Sequence, residues 1–154
     1  MDKNHQKKSI LYSGLVSFGW LFESKEIAEK DEQFGKYLKN YESYSKGPII
    51  NAGVLIAFSY LTLVFPREAA LYEELNFANL TTEKFQVLKG SYKDKKDLLR
   101  HLRNAIAHAN IQLEHGYIVL KDRDFEVKIL TKDFGNFLNQ LVTEWRNCEI
   151  RKNK

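Results

Sequence analysis

The sequence predicts a mainly α-helical protein: a helical bundle with a small antiparallel β-hairpin or three-stranded meander before the C-terminal helix. Apolar residues recur at the 3.6-residue helical period over residues 9–22 and again over residues 131–148. A more apolar run, residues 49–65, lies between two prolines and is typical of a buried central helix. After Ala109 the apolar period falls to two, which indicates strands.

Three helices are predicted in the first half of the chain. Residues 9–22 form the first, and Ser24 is the candidate N-cap of a second helix that runs to about residue 45. The buried third helix covers residues 49–65, Pro66 ends or kinks it, and helix is expected to continue over residues 68–75. The tyrosines of the second helix are expected to pack rather than to stack on bases. They are Tyr37, Tyr41 and Tyr44.

Helix and strand patterns alternate in the second half. Thr81 or Thr82 is a candidate N-cap for a short helix that contains Phe85 and Leu88. A basic loop, residues 90–96, leads from it into a polar helix.

Strand signals follow that polar helix. Residues 111–114 alternate, His115 and Gly116 can form a tight turn, and residues 117–120 are β-branched and aromatic. Thr131 is expected to cap the final helix. The predicted inner face of that helix consists of Phe134, Phe137, Leu138, Leu141, Trp145 and Cys148.

Length and composition indicate a single soluble domain over residues 1–154, with residues 1–8 and 151–154 expected to be disordered. Hydrophobic residues make up 44% and charged residues 29%, which is ordinary for a globular protein. A single cysteine, Cys148, excludes an intrachain disulfide, so the cytoplasm is the expected compartment. The apolar runs are too short or too amphipathic for a signal peptide or a membrane span.

The charge distribution favours contact with phosphates. Net charge is +4, and basic residues are concentrated in the stretch that leads into the polar helix. A cluster of this kind can bind nucleic acid, although a solvated loop would have the same composition. The residues expected to contact RNA are Lys93, Lys95, Lys96, Arg100 and His101.

Residues 98–108 form an amphipathic helix that carries most of the candidate chemistry. One side groups Leu98, Leu99, Leu102, Ala105 and Ile106. The opposite stripe contains Asp97, His101, Asn104 and His108, with Arg100 and Arg103 along its flank. Such a helix is anchored in a core and holds ionisable groups rigidly at a surface.

The sequence motifs of most catalytic classes are absent. There is no phosphate-binding glycine loop, no G-x-S-x-G elbow, no H-E-x-x-H and no paired carboxylate cluster. No metal and no cofactor are expected, and a metal held by His101 and His108 is the weaker alternative. The remaining groups suit RNA cleavage without metal, because histidine can accept a proton near neutrality and guanidinium stabilises a phosphorane. Asn104 could orient an imidazole or hold a phosphate oxygen.

The run from Arg103 to His108 matches the R-x4-H form of the signature of the HEPN superfamily, with a polar residue directly after the arginine. The following hairpin, the closing helix and residues 63–68 add to the likeness. Over about residues 45–148 the chain therefore resembles the small stand-alone, plasmid-borne HEPN proteins.

That resemblance implies a metal-independent endoribonuclease in which Arg103, Asn104 and His108 are catalytic. The products would be a 2′,3′-cyclic phosphate and a 5′-hydroxyl. It also implies a homodimer with both copies of the motif near the two-fold axis, acting in bacterial defence, stress response or a toxin–antitoxin system. An antitoxin or another regulatory protein is then a further partner to consider.

Other interpretations stay open. A HEPN-like domain can bind RNA or a protein without cutting, and a structural dimer could use the polar stripe as its interface. A structural role is open for His108, because the helix dipole favours a cation there, and His101 is expected to be supportive or exposed rather than catalytic. HEPN toxins modified by a nucleotidyltransferase antitoxin carry a tyrosine where this chain has Asn110. Control by that route is therefore not expected.

Overall fold

The computed structural model describes residues 3–45, 48, 50–68 and 77–152. Its elements are α1 (Lys3–Lys30), α2 (Glu32–Ser45), α3 (Ala52–Ser59), a π-helical segment (Tyr60–Val64), α4 (Phe65–Glu68), a 3₁₀ turn (Phe77–Asn79), β1 (Gln86–Lys89), α5 (Lys95–Ala107), β2 (Ile111–Glu114), β3 (Tyr117–Asp122), β4 (Phe125–Leu130) and α6 (Thr131–Lys152). The predicted fold class, mainly helical with a small antiparallel sheet before the C-terminal helix, is confirmed. Helix reaches into both segments that were expected to be disordered, since α1 begins at Lys3 and α6 ends at Lys152.

The boundary between the first two helices differs from the prediction. Ser24 lies inside α1, where its buried hydroxyl donates to the Trp20 carbonyl oxygen, so it is not an N-cap. The break comes at Asp31, whose carboxylate accepts a hydrogen bond from the Phe34 N–H at 2.8 Å. Gly35 permits the sharp corner, because a Cβ there would lie 2.6 Å from the Ala28 carbonyl oxygen.

The tyrosines of α2 are exposed, so the packing role predicted for them is wrong. Their exposed fractions are 63% for Tyr37, 52% for Tyr41 and 87% for Tyr44. The helix packs against α1, and the half-buried apolar residues on it are Phe34 and Leu38.

The buried central helix is confirmed, but Pro66 does not end it. After α3, which Asn51 caps through the Val54 N–H, the helix continues through the π-helical segment into α4. Proline has no N–H to offer to the carbonyl four residues earlier. That carbonyl, on Thr62, accepts a hydrogen bond from Trp145 Nε1 of α6 at 3.2 Å. Of the helix expected at 68–75, residues 69–75 lie outside the described residues.

A strand replaces the short helix predicted around Phe85 and Leu88. β1 pairs antiparallel with β4, and a bulge lies between Val87 and Lys89. All four side chains of β1 are exposed. The sequence therefore shows no alternation of apolar and polar residues that would indicate a strand here. Its conformation depends on pairing with β4, which lies far along the chain.

The remaining strands agree with the predicted meander and extend it to a four-stranded sheet in the described chain, ordered β1-β4-β3-β2. His115 and Gly116, both with positive φ, form the tight turn between β2 and β3. Thr131 begins α6, and its hydroxyl donates to the Gly116 carbonyl oxygen in the turn between β2 and β3. The predicted inner face of α6 is buried from Phe134 to Trp145, and the Cys148 side chain lies outside the described residues.

The core joins both parts of the fold around α5. Buried residues of α1, α3, α5, the sheet and α6 form one hydrophobic cluster, with Leu102 near 0% exposed. Helix α5 contacts β3 on one side and the π-helical segment on another, so it lies between the sheet and the central helix. No helix in the described ranges is long and apolar enough to cross a membrane.

Candidate active site on α5

Local sequence fixes both ends of α5. The Asp94 carboxylate accepts a hydrogen bond from the Asp97 N–H at 2.8 Å, which is an N-cap. At the other end His108 is the C-cap and Ala109 has a φ of 53°. The Asn110 N–H then bonds the Ala105 carbonyl oxygen at 2.8 Å, as in a Schellman motif. The predicted inner face is confirmed, since its five apolar residues are all buried.

A buried carboxylate from the sheet organises the polar stripe. Asp122, the last residue of β3, places its Oδ2 2.8 Å from His101 Nδ1. The same oxygen accepts a hydrogen bond from Asn104 Nδ2 at 3.1 Å. The His101 ring also stacks on Phe125, with 4.3 Å between ring centroids. His101 is therefore built into the structure, with only 14% of its side chain exposed.

Asn104 connects the motif arginine, Arg103, to this network. Its Oδ1 accepts a hydrogen bond from Arg103 Nη2 at 2.9 Å, while its amide nitrogen donates to Asp122. Asn104 therefore links the buried carboxylate to Arg103. In the single chain its side chain contacts Arg103 and Asp122, and the role expected for it, orienting an imidazole or holding a phosphate oxygen, stays a prediction.

Arg100 is shared between a carboxylate and an imidazole. Its guanidinium donates to Asp97 Oδ1 at 2.6 Å and 3.0 Å, and its Nη2 lies 3.2 Å from His101 Nε2. This hydrogen bond from Arg100 lowers the pKa of the Asp97 carboxyl, and the Lys93 backbone N–H acts in the same direction.

A cationic cleft of about 610 Å³ opens beside the N-terminal half of α5. Its lining residues are Arg67, Phe77, Lys93, Asp94, Lys96, Asp97, Arg100 and Arg103. Five cations thus face two carboxylates, of which Asp94 caps the helix and Asp97 binds Arg100. The cleft suits a polyanion, and Phe77 adds an aromatic ring to its wall.

The three lysines predicted to contact RNA differ in position. Lys93 and Lys96 line the cleft. Lys95 instead donates from Nζ to the Ala78 carbonyl oxygen at 2.8 Å, which ties the start of α5 to the 3₁₀ turn.

His108 lies apart from the network. It is exposed at the end of α5, and within the described ranges its side chain has no hydrogen bond or ion pair. Its backbone N–H bonds the Asn104 carbonyl oxygen at 3.0 Å. The structure therefore brings Arg103 and Asn104 together and leaves the motif histidine free at the surface.

Sequence reasoning missed Asp122, Phe125, Arg67 and Phe77 as site residues. A signal for Asp122 was present, because the alternation of a strand puts it on the same face as the buried Ile118 and Leu120. A carboxylate in an inward position needs a partner. Among the described residues no group of three or more histidines, cysteines or carboxylates is placed to hold a metal ion.

Fold and site together define a small helical domain whose polar helix bears an R-x4-H motif beside a cationic cleft. A family model described as HEPN pEK499 p136 matches residues 3–150, and the chain belongs to this family. The match begins in α1, so the family likeness extends further towards the N-terminus than the motif-bearing region suggested. Neither the curated proteins nor the solved structures contain a match to the chain.

Proposed function

We propose that this protein is a metal-independent endoribonuclease. The observation that carries the proposal is the placement of Arg103, the motif arginine, in the wall of the cationic cleft. A site with a surplus of guanidinium and ammonium groups attracts an RNA backbone. A fixed guanidinium among them can stabilise charge that develops on the phosphate.

The chemistry follows from the groups at hand. An RNA phosphate binds in the cleft, where Arg103, held by Asn104, offers its planar fork of donors to the non-bridging oxygens. The 2′-oxygen attacks phosphorus as histidines transfer the protons. The products are a 2′,3′-cyclic phosphate and a 5′-hydroxyl end.

The exposure of His108 supports a homodimer as the working unit. A histidine whose side chain has no orienting partner among the described residues can be fixed by a second copy, which would bring two motifs to one composite cleft. An arrangement of this kind also gives an antitoxin or another regulatory protein an accessible surface on which to act.

The alternative function is an RNA- or protein-binding module that does not cut. The free ring of His108 favours it, because a proton-transfer group works best when its orientation is fixed. Under this alternative the cleft would bind a polyanion and Arg103 would contribute affinity only.

Cleavage of end-labelled RNA in EDTA by the purified protein tests the proposal, with Arg103→Ala, His108→Ala and a DNA strand of matched sequence alongside. We expect RNA alone to be cut, with cyclic-phosphate ends. Arg103→Ala should reduce kcat about 100-fold or more, as for other oxyanion-stabilising donors. Salt-sensitive binding of varied RNAs without cleavage would instead establish the binding module.

A further inference from the structure

The pairing of His101 with Asp122 joins α5 to the sheet and also fixes the orientation of the imidazole. Asp122 is 7% exposed, and its Oδ2 accepts from both His101 and Asn104. The stack on Phe125 fixes the plane of the imidazole. One carboxylate therefore orients His101 directly and Arg103 through Asn104, so a single group fixes the positions of an imidazole and a guanidinium.

The neighbours of His101 also define which nitrogen carries the proton. An ionised carboxylate only accepts hydrogen bonds, so Nδ1 donates to Asp122. A guanidinium only donates, so Nε2 presents its lone pair to Arg100 Nη2 at 3.2 Å. In this tautomer the basic Nε2 is directed towards Arg100, which lines the cleft.

The Arg100 guanidinium occupies the hydrogen-bonding position at His101 Nε2, and its exposure allows it to move away. Its side chain is 50% exposed, and its other partner is Asp97. The charged groups around the His101 ring are Asp122 from β3 with Arg100 and Asp97 from α5, the last 3.9 Å from Nε2. A phosphate in the cleft competes for the guanidinium, and Arg100 moving towards it uncovers Nε2.

We propose that His101, oriented by Asp122, is the general base of this site, a role that rests on the proposed function. His101 Nε2 takes the proton of the ribose 2′-hydroxyl, and the 2′-oxygen forms a bond to phosphorus. The bond from phosphorus to the 5′-oxygen breaks, and that oxygen takes a proton from His108. The pair of histidines then exchanges protons with water to return to its starting state.

The position of each histidine fits its role. His108 lies exposed at the C-terminus of α5, where the leaving group of an RNA strand can approach it from solvent. The two residues are seven apart in the sequence, a rise of about 10.5 Å along a helix. Two hydrogen bonds and one in-line attack distance span a length of the same order.

His101→Asn separates catalysis from structure. The asparagine amide nitrogen can replace Nδ1 as donor to Asp122, but it offers no basic nitrogen. The matched control is His115→Asn, at an exposed turn position with a φ of 43° that asparagine tolerates. Cleavage of one labelled RNA in EDTA gives kcat, and fluorescence anisotropy with the 2′-deoxy strand, which cannot react, gives Kd.

We expect His101→Asn to lower kcat about 100-fold or more with Kd within a few-fold, while His115→Asn behaves as wild type. A wild-type protein that cuts RNA beside a His101→Asn variant with nearly full kcat would overturn this assignment alone. A wild-type protein that cuts no RNA would overturn it together with the proposed function. If His101→Asn does not fold, ¹⁵N NMR of the wild-type histidines decides, and a proton found on Nε2 rather than Nδ1 in the free protein refutes the assignment.

Discussion

His101 and His108 lie on the same stripe of α5, but their surroundings are opposite. The first is paired with Asp122, stacked on Phe125 and covered by Arg100, and its side chain is 14% exposed. The second is exposed at the helix end. Helix periodicity alone gives both residues the same face. The difference between them comes from the sheet, whose Asp122 contacts His101 and Asn104.

This contrast separates two kinds of candidate site residue. A histidine held by three neighbours has a fixed orientation in the single chain, and that orientation depends on each neighbour. The orientation of an exposed histidine depends little on the rest of its own chain and would be set by a molecule that binds against it. Substitutions should therefore affect the two ends of α5 differently.

The largest effect on stability is expected from a substitution in the hydrophobic core that anchors α5. Leu102→Ala empties a fully buried position in the middle of α5 and should lower the free energy of unfolding by about 2–5 kcal/mol. Urea denaturation measures it. Leu113→Ala, at a position 58% exposed, is the matched control and should change stability by less than about 0.5 kcal/mol.

Removing the Asp122 carboxylate should change the surroundings of His101 and leave those of His108 as they are. Asp122→Ala leaves His101 and Asn104 without their shared acceptor and should cost about 1–3 kcal/mol in unfolding free energy. Ring-proton NMR should show a changed His101 signal and an unchanged His108 signal. Asp124→Ala, whose side chain is 99% exposed, should have almost no effect. Equal shifts at both histidines would contradict the contrast.

Arg67→Ala tests whether the cleft beside the His101 half of α5 binds RNA. Losing one phosphate contact should weaken binding and reduce the slope of log Kd against log salt by about 0.7 for a single strand. Anisotropy at several salt concentrations measures the slope. The control Lys128→Ala removes a cation that lies over the Tyr117 ring, outside the cleft, and an equal loss of slope there would refute the assignment.

The smallest effect concerns pH. Arg100 lowers the pKa of Asp97, so the ionised pair stabilises the fold above about pH 4 and that contribution is lost as pH falls through the lowered pKa. The stability difference between wild type and Asp97→Asn should be constant from pH 7 to pH 5 and shrink below pH 4. Thermal unfolding across this range measures it. The same comparison in an Arg100→Gln background should show a much smaller difference, and an undiminished one would contradict the cause.

Much of the site region was predictable because its signals are local. The inner face of α5, the hairpin turn at His115 and Gly116, and the buried face of α6 follow from periodicity and turn chemistry within short windows. The predictions that failed depended on distant partners. β1 exists through pairing with β4, and the helix continues past Pro66 with Trp145 bonding the carbonyl that proline leaves unpaired.

The sequence by itself determined the fold class, the polar helix and the motif from Arg103 to His108, because each depends on spacing along one segment. Only the tertiary structure decided which histidine is held and which is free. Asp122 reaches His101 and Asn104 from a strand some twenty residues later. Arg67 and Phe77 join the cleft from the central helix and the 3₁₀ turn. Contacts between segments are set by how the core packs, and no local period records them.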